Sequence, residues 1–95
     1  MDKKLIDSLR EALLITQEEC AEVTQAISKV LRFGTETRWP DSNAPTNREK
    51  LEEEIGDLLA MIDILIQRGY LSDSFVNAAR INKKEKLKKW SKIFE

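Results

Sequence analysis

The chain has 95 residues, a net charge of −1, and 35% charged against 6% aromatic residues, which predicts one domain, 1–95, of exposed helices rather than a sheet. Charge this balanced does not indicate a nucleic-acid or membrane surface, and no apolar run is long enough to span a bilayer. The absence of histidine excludes the Ser-His-Asp triad, the common zinc sites and the Glu-x-x-His di-iron sites.

The first predicted element is a helix from about Lys3 to about Arg32, with Asp2 as its N-cap and a left-handed Gly34 at its end. Its residues at alternating steps of three and four form a seam for a second helix. These residues are Ile6, Leu9, Leu13, Thr16, Cys20, Val23, Ile27 and Val30. Because Cys20 falls in this seam, we interpret it as a core residue rather than a nucleophile, and a lone cysteine fits a reducing cytoplasm.

A loop and two further helices complete the chain. Residues 33–45 contain both prolines and are long for a connection in a small helical domain, which is typical of functional loops. Thr46 and Glu49 form a capping box at the start of the second helix, and Gly69 ends it. The third helix is predicted from Ser72 or Ser74 to about Trp90. The fold class is therefore all-α, a bundle of about three helices per chain, completed by oligomerisation because one small chain cannot cover all its apolar surface.

Acidic residues recur at helical spacing on the first two predicted helices. Glu18, Glu19 and Glu22 form a Glu-Glu-x-x-Glu run, and Glu54 and Asp57 form a Glu-x-x-Asp pair. Residues three apart lie on one face, so two facing helices could bring four carboxylates to one point. Hard oxygen ligands without imidazole or thiolate favour Mg²⁺, with Mn²⁺ as the alternative, over zinc.

The competing interpretation places these acids on a solvated face, where most charged runs lie. Their neighbours argue against it. Glu54 lies at the helical angle of Met61, inside the apolar stripe, and Asp57 lies at the edge of that stripe. Glu19 and Glu22 likewise share their side of the first helix with small and apolar residues. Acids among apolar neighbours are costly unless they are paired or bind a metal.

Several basic and aromatic residues are candidates for binding an anionic substrate. Lys83 lies in the middle of the apolar face of the third helix, and Lys86 lies at its border. An inward lysine binds phosphates, whereas a snorkelling lysine packs its stem and keeps its ammonium in water. Lys29 lies on the acidic side of the first helix. Arg32 and Arg38, which flank or occupy the loop, are candidates for binding a terminal phosphate. The loop residue Trp39 is a candidate for base stacking, although a loop tryptophan is at least as often a packing residue.

The two acidic motifs together resemble a known family. The stretches 17–22 (QEECAE) and 53–59 (EEIGDLL) look like the paired motifs of the MazG-like all-α nucleoside triphosphate pyrophosphohydrolases. The stretches 29–34 (KVLRFG) and 47–51 (NREKL) also resemble its short single-domain members from bacteria and phages.

The resemblance implies a homodimer or homotetramer that uses Mg²⁺ to hydrolyse a nucleoside triphosphate to the monophosphate and pyrophosphate. On the matching positions the metal ligands would be Glu19, Glu22, Glu54 and Asp57, and Glu18 with Glu22 would be catalytic. A phosphate-binding cluster on the family's last helix corresponds loosely to residues 82–86, which include Lys83 and Lys86.

We therefore interpret the chain as a cytoplasmic enzyme that acts on the nucleotide pool. Its expected partners are a nucleoside triphosphate substrate and further copies of the same chain. We expect it to bind neither nucleic acid nor a membrane. One alternative is a non-enzymatic helical oligomerisation or interaction module, but it leaves the inward Glu54 and Lys83 unexplained. A carboxylate-bridged redox protein is a third hypothesis, which the lack of histidine disfavours.

Overall fold

Three helices make up most of the protein. The computed structural model describes residues 2–95, which form α1 (Lys3–Phe33), α2 (Asn47–Gln67) and α3 (Asp73–Trp90). The predicted all-α class is confirmed. The chain divides into two compact units, one ending at Ile64 and the other comprising Leu65–Glu95. None of the helices in the described part of the chain combines the length and the apolar character needed to cross a membrane.

Both ends of α1 are stabilised by local hydrogen bonds. The Asp2 carboxylate accepts a bond of 3.0 Å from the backbone N–H of Lys4, which confirms the predicted N-cap. At the other end, the Gly34 N–H donates to the Val30 carbonyl at 2.8 Å. Gly34 has the expected positive φ of 94°, but its ψ of 160° is extended rather than left-handed helical. This region of backbone space is open mainly to glycine, because a Cβ would clash there.

The buried stripe of α1 differs from the predicted seam. Seven of the eight residues of α1 that are buried or half-buried follow a regular three–four spacing, and Ile15 is the eighth. The seven are Leu9, Ala12, Thr16, Glu19, Val23, Ala26 and Val30. Ile6, Leu13 and Ile27 are exposed, and so is Cys20, so the assignment of Cys20 to the core is wrong for the single chain. The predicted seam and the buried stripe have four residues in common, which recur every seven positions: Leu9, Thr16, Val23 and Val30. The side of α1 that is buried carries Ala12, Ala26 and Glu19. Small residues allow helices to pack closely, and a pattern of large apolar residues does not reveal this preference.

The connection between α1 and α2 is hydrogen-bonded to the start of α2. The backbone N–H groups of Asn47 and Arg48 donate to the carbonyls of Thr37 and Thr35 at 2.9 and 2.8 Å. The Asn47 side-chain amide donates to the Gly34 carbonyl at 3.1 Å. These bonds satisfy N–H groups that have no partner within a helix. They also hold the first turn of α2 beside the last turn of α1, so the two helices run antiparallel.

The predicted capping box at the start of α2 is confirmed. The Thr46 hydroxyl accepts a bond of 3.0 Å from the Glu49 N–H, and the Glu49 carboxylate accepts one of 2.9 Å from the Thr46 N–H. Each residue thus satisfies the other's backbone donor. These two hydrogen bonds set the position at which α2 begins, and therefore the faces on which its later side chains lie.

In the second unit, α2 ends in a turn and α3 follows at once. Gly69 has a φ of 77°, and its N–H donates to the Ile66 carbonyl at 2.9 Å, as expected of a glycine that ends a helix. The Ser72 hydroxyl accepts from the Phe75 N–H at 3.2 Å, so α3 begins at Asp73, within the predicted limits.

Candidate functional site

Three carboxylates from two helices converge in the first unit. α1 supplies Glu19, and α2 supplies Glu54 and Asp57, which are three residues apart and therefore on one face. One oxygen from each of the three lies within 4.8 Å of the others. The convergence follows from the antiparallel packing, because residues near the middle of α1 meet residues near the middle of α2. Three of the four predicted metal ligands are thus brought together.

Glu54 is the acid whose environment is most perturbed. Its side chain is half-buried, and this burial raises the pKa of Glu54 above its usual value. The negative charges of Glu22, Asp57, Glu19 and, least of the four, Glu53 raise it further. Loss of hydration and like-charge repulsion both disfavour the ionised form. A cation held between these oxygens would remove the repulsion. Glu19 and Glu54 are half-buried, whereas Asp57 and Glu22 are exposed.

The donor set fits a hard divalent cation. All three converging groups are carboxylates, and the described residues contain no imidazole that would direct the site towards zinc. Mg²⁺ binds oxygens at about 2.0–2.1 Å, so opposite ligands in an octahedron lie roughly 4.2 Å apart. One oxygen of each of the three carboxylates lies within 4.8 Å of the others, which is the same order of separation.

Glu22 and Glu18 lie outside the group of three. Glu22 and Glu54 line a small cavity of about 90 Å³. Lys29, which lies seven residues after Glu22 on α1, lines the same cavity. Glu22 is therefore close enough to act on the cluster, as its effect on Glu54 indicates. Glu18 is exposed and does not line this cavity. Its proposed catalytic role stays a prediction.

A larger cavity adjoins the small one. It has a volume of about 520 Å³ and is lined by Lys29, Phe33, Thr37, Trp39, Asn47 and Lys50. Trp39 is 73% exposed, so it does not act as a packing residue in the single chain. The Lys50 ammonium donates to the Trp39 carbonyl at 3.3 Å and so ties the connection to α2. The structure thus places Lys29 and Trp39 in one cavity.

The two loop-flanking arginines have other partners. The Arg32 guanidinium lies 4.8 Å from the centre of the Phe33 ring, in a cation–π contact. The Arg38 guanidinium donates to the Ala44 carbonyl at 2.7 Å and lies 3.7 Å from the Glu49 carboxylate. Arg38 therefore holds the connection in shape. Arg32 does not line the larger cavity, and its role in phosphate binding stays a prediction.

The candidates on α3 lie in the second unit. Lys83 lines a shallow surface cavity with Val76 and Ala79, as the predicted shared face requires. Lys83 and Lys86 are nevertheless exposed, so the inward position expected for Lys83 is wrong for the single chain. The helix carries no buried residue, so its apolar side chains do not enclose a lysine stem. Their assignment to substrate binding stays a prediction.

Sequence reasoning missed two polar residues of the site, Asn47 and Lys50. Both line the two cavities, and they precede Glu54 by seven and four residues. That spacing places them on one face of α2 with Glu54. Extending the acidic face backwards by two turns would have found them. Phe33, four residues after Lys29, could have been found in the same way on α1.

One comparison identifies the chain. The family model of the MazG nucleotide pyrophosphohydrolase domain matches residues 7–90, which include both acidic motifs and parts of all three helices. No curated protein and no solved structure matches significantly. The match extends over most of the 95 residues and agrees with the all-α fold and the converging carboxylates. The chain therefore belongs to the MazG nucleotide pyrophosphohydrolase family.

Proposed function

We propose that the protein is a magnesium-dependent enzyme that hydrolyses a nucleoside triphosphate, ribo- or deoxyribo-, to the monophosphate and pyrophosphate. Membership of the family supports nucleotide pyrophosphohydrolase activity in general. The observation that carries the finer proposal is the approach of Glu19, Glu54 and Asp57 oxygens to within 4.8 Å of one another. A cluster of carboxylates alone is the donor set expected for a cation that is shared with substrate phosphates.

The acidic residues would have two roles, as metal ligands and as general bases that accept a proton from the attacking water. Glu19, Glu22, Glu54 and Asp57 would hold Mg²⁺, or Mn²⁺ as the alternative. When bound, the ion supplies positive charge that offsets the charge developing on the phosphate oxygens. Glu22 and Glu18 would accept the proton of the attacking water. Glu22 is the better placed of the two, because it lines the cavity beside Glu54.

The cationic residues would bind the phosphate chain and the leaving group. Lys29 lines the cavity that contains Glu22 and Glu54, so its ammonium is available to a substrate held at the carboxylates. Arg32 of α1 would also bind the phosphates, as would Lys83 and Lys86 of α3. Trp39 would bind the rest of the nucleotide.

The proposal includes a cytoplasmic enzyme that acts as a homodimer or homotetramer. A non-enzymatic interaction module would also form a helical assembly. It offers no reason, however, for a half-buried Glu54 among three other carboxylates, which is costly without a cation. The acidic cluster therefore favours the enzyme.

The test is a phosphate-release assay across nucleoside triphosphates, with and without Mg²⁺, that separates pyrophosphate from orthophosphate. The wild type is expected to release pyrophosphate only when Mg²⁺ is present. Glu54→Gln is expected to lower turnover by at least about 100-fold, the scale seen when a group that stabilises transition-state charge is removed.

Glu53→Gln is the matched control, because it makes the same charge change at an exposed neighbouring position outside the cluster. It is expected to keep activity within a few-fold of the wild type. Equal activity of Glu54→Gln and the wild type would contradict the metal site. Orthophosphate as the main product would contradict the reaction. A thermal melt adds a check without turnover, since Mg²⁺ should stabilise the wild type more than Glu54→Gln.

A further inference from the structure

We propose that α3 and the turn that follows it bind the surface of an anionic lipid bilayer. Basic side chains contact the lipid phosphates, and Trp90, Ile93 and Phe94 insert between the headgroups. This inference goes beyond the proposed function and does not depend on it, because the converging carboxylates lie in the first unit and this surface lies in the second.

The basic charge of the chain is concentrated in residues 80–92, which we call the basic segment. It contains seven basic residues and one acid, Glu85, for a net charge of +6. The basic residues are Arg80, Lys83, Lys84, Lys86, Lys88, Lys89 and Lys92. The other residues together carry −7, so the whole-chain value of −1 averages two opposite parts. Because a polybasic segment attracts anionic lipids through its local charge, the expectation drawn from net charge alone does not apply to it.

Most cations of the basic segment have no acidic partner within the chain. Lys88 lies 3.0 Å from the Glu85 carboxylate, and it is the only one of the seven that forms an ion pair among residues 2–95. All seven are exposed. Like charges four residues apart, such as Arg80 and Lys84, destabilise a helix. An anionic surface would offset this repulsion along the whole segment.

The end of the basic segment exposes three large apolar side chains. Trp90 is 77% exposed, Ile93 69% and Phe94 56%. They alternate with Lys89 and Lys92 in the sequence. Apolar side chains set among lysines are typical of a segment that binds a bilayer interface, where the lysine stems lie against the apolar layer and the ammonium groups reach the phosphates.

Hydrogen bonds hold the turn that carries these side chains. The Ser91 N–H and hydroxyl both donate to the Leu87 carbonyl, at 2.9 and 2.7 Å. The Glu95 N–H donates to the Lys92 carbonyl at 3.1 Å. The three apolar side chains are therefore presented on a fixed backbone, which lowers the entropic cost of inserting them.

The same features favour lipid over two other occupants. Single-stranded nucleic acid binds basic surfaces through aromatic rings that stack on its bases, and the aliphatic Ile93, which cannot stack, is more exposed than Phe94. A bilayer interface accepts tryptophan and aliphatic side chains alike. The core of a contact with a second copy is normally depleted in lysine, whereas lysines surround these apolar side chains.

Trp90 reports directly on the contact. The chain has two tryptophans, so Trp39→Phe leaves Trp90 as the only indole. Vesicles of equal parts phosphatidylserine and phosphatidylcholine are expected to shift its emission to shorter wavelength, because the indole leaves water. Pure phosphatidylcholine vesicles and inorganic phosphate are expected to leave the emission unchanged. No shift with the anionic vesicles, or an equal shift with either control, would overturn the inference.

The contribution of the lysines is tested by sedimentation with the anionic vesicles. The triple variant Lys84→Gln, Lys89→Gln and Lys92→Gln is expected to bind roughly 100-fold more weakly, since each lysine at an anionic surface contributes about 5-fold. Lys83 and Lys86 stay unchanged, because they are proposed to bind substrate.

The matched control is the triple variant Lys3→Gln, Lys4→Gln and Arg10→Gln. It loses the same three charges at exposed positions in the first unit. It is expected to bind the vesicles within a few-fold of the wild type. Equal weakening in both triple variants would show a response to net charge instead of the basic segment and would overturn the inference.

Two further measurements on the Trp39→Phe protein detect the other occupants. A larger emission shift with a single-stranded oligouridine than with the anionic vesicles would assign the basic segment to nucleic acid. An emission that shifts with protein concentration in the absence of lipid would place a second copy on Trp90. Either result would overturn the inference.

Discussion

At the scale of single residues, Glu54 is the position where the sequence departs most from simple helical patterning. It occupies a half-buried place on a face of α2 that continues towards the end of the helix with Leu58, Met61 and Leu65. A leucine there would stabilise an isolated helix pair, whereas an acid close to three other carboxylates opposes folding once it ionises. A functional requirement accounts for such a residue better than stability does.

Glu54 makes the stability of the metal-free protein depend on pH. Its folded-state pKa is raised above the unfolded value of about 4.3, so its stabilising contribution is complete below that value and is lost as pH rises through the folded pKa. In chelator, the wild type is therefore expected to lose free energy of unfolding relative to Glu54→Gln between acid and neutral pH. Denaturant titrations of both proteins at several pH values measure this difference.

Mg²⁺ should reverse the sign of that difference at neutral pH, because the cation favours the ionised carboxylate of the wild type. Comparison of the two proteins removes the contributions of groups that both share. Glu49 is one of these: hydrogen bonds from Thr46 lower its pKa and give it the opposite pH dependence. Parallel stability curves for the wild type and Glu54→Gln would show that Glu54 is as well hydrated when folded as when unfolded.

At the scale of elements, the beginning of α2 controls the site. The hydrogen bonds of Thr46 define where the helix starts, and the same turn carries Asn47 and Lys50 into the larger cavity. A change in the starting position would rotate every later side chain about the helix axis. The connection and the capping box therefore position the carboxylates of α2, although they supply none of the three converging carboxylates themselves.

Thr46→Ala is expected to destabilise the fold by about 1 kcal/mol, within the 0.5–2 kcal/mol range for lost N-caps, because the Glu49 N–H loses its acceptor. For a domain of this size that corresponds to a fall in Tm of roughly 4–8 °C, measurable by calorimetry. The control is Thr24→Ala. The Thr24 hydroxyl donates only to the Cys20 carbonyl within α1, so its removal should change Tm little. Equal shifts in both variants would argue against the capping box as the stabilising feature.

At the scale of the whole molecule, α1 carries more apolar surface than its own chain covers. Ile6, Leu13, Cys20 and Ile27 recur every seven residues, and all four are exposed. A repeat of seven keeps residues on one side of a helix, which is the pattern of a helix–helix interface. This stripe lies beside the buried one, so a second copy of the chain could cover it without displacing α2.

We expect the protein to be at least dimeric at micromolar concentration, as measured by light scattering. Leu13→Glu should dissociate it, because it would bury a charge in the stripe. Ala21→Glu is the control, since it makes the same kind of change at an exposed position of α1 outside the stripe. In the assembly Cys20 should react slowly with thiol reagents, and faster in Leu13→Glu. A monomeric wild type, or rapid Cys20 modification in an intact dimer, would contradict this interface.

The sequence by itself determined the helices, their ends and the presence of the two acidic motifs. These features depend on interactions within a few residues: the caps at Asp2 and Thr46, the glycines at 34 and 69, and the three-residue spacing of Glu54 and Asp57. Such interactions are the same in any tertiary context, so local pattern is sufficient to predict them.

Only the tertiary structure decided which stripe of α1 packs, which acids meet and where the aromatic cavity lies. Helical periodicity fixes the angle between Glu18 and Glu19 but not which of them faces α2. The seam built on Leu13 and Cys20 satisfied the same spacing as the true one, and the true one is marked by alanines that hydropathy ranks low. The position of Trp39 depends on the path of the connection, which is set by hydrogen bonds to α2 between residues far apart in the sequence.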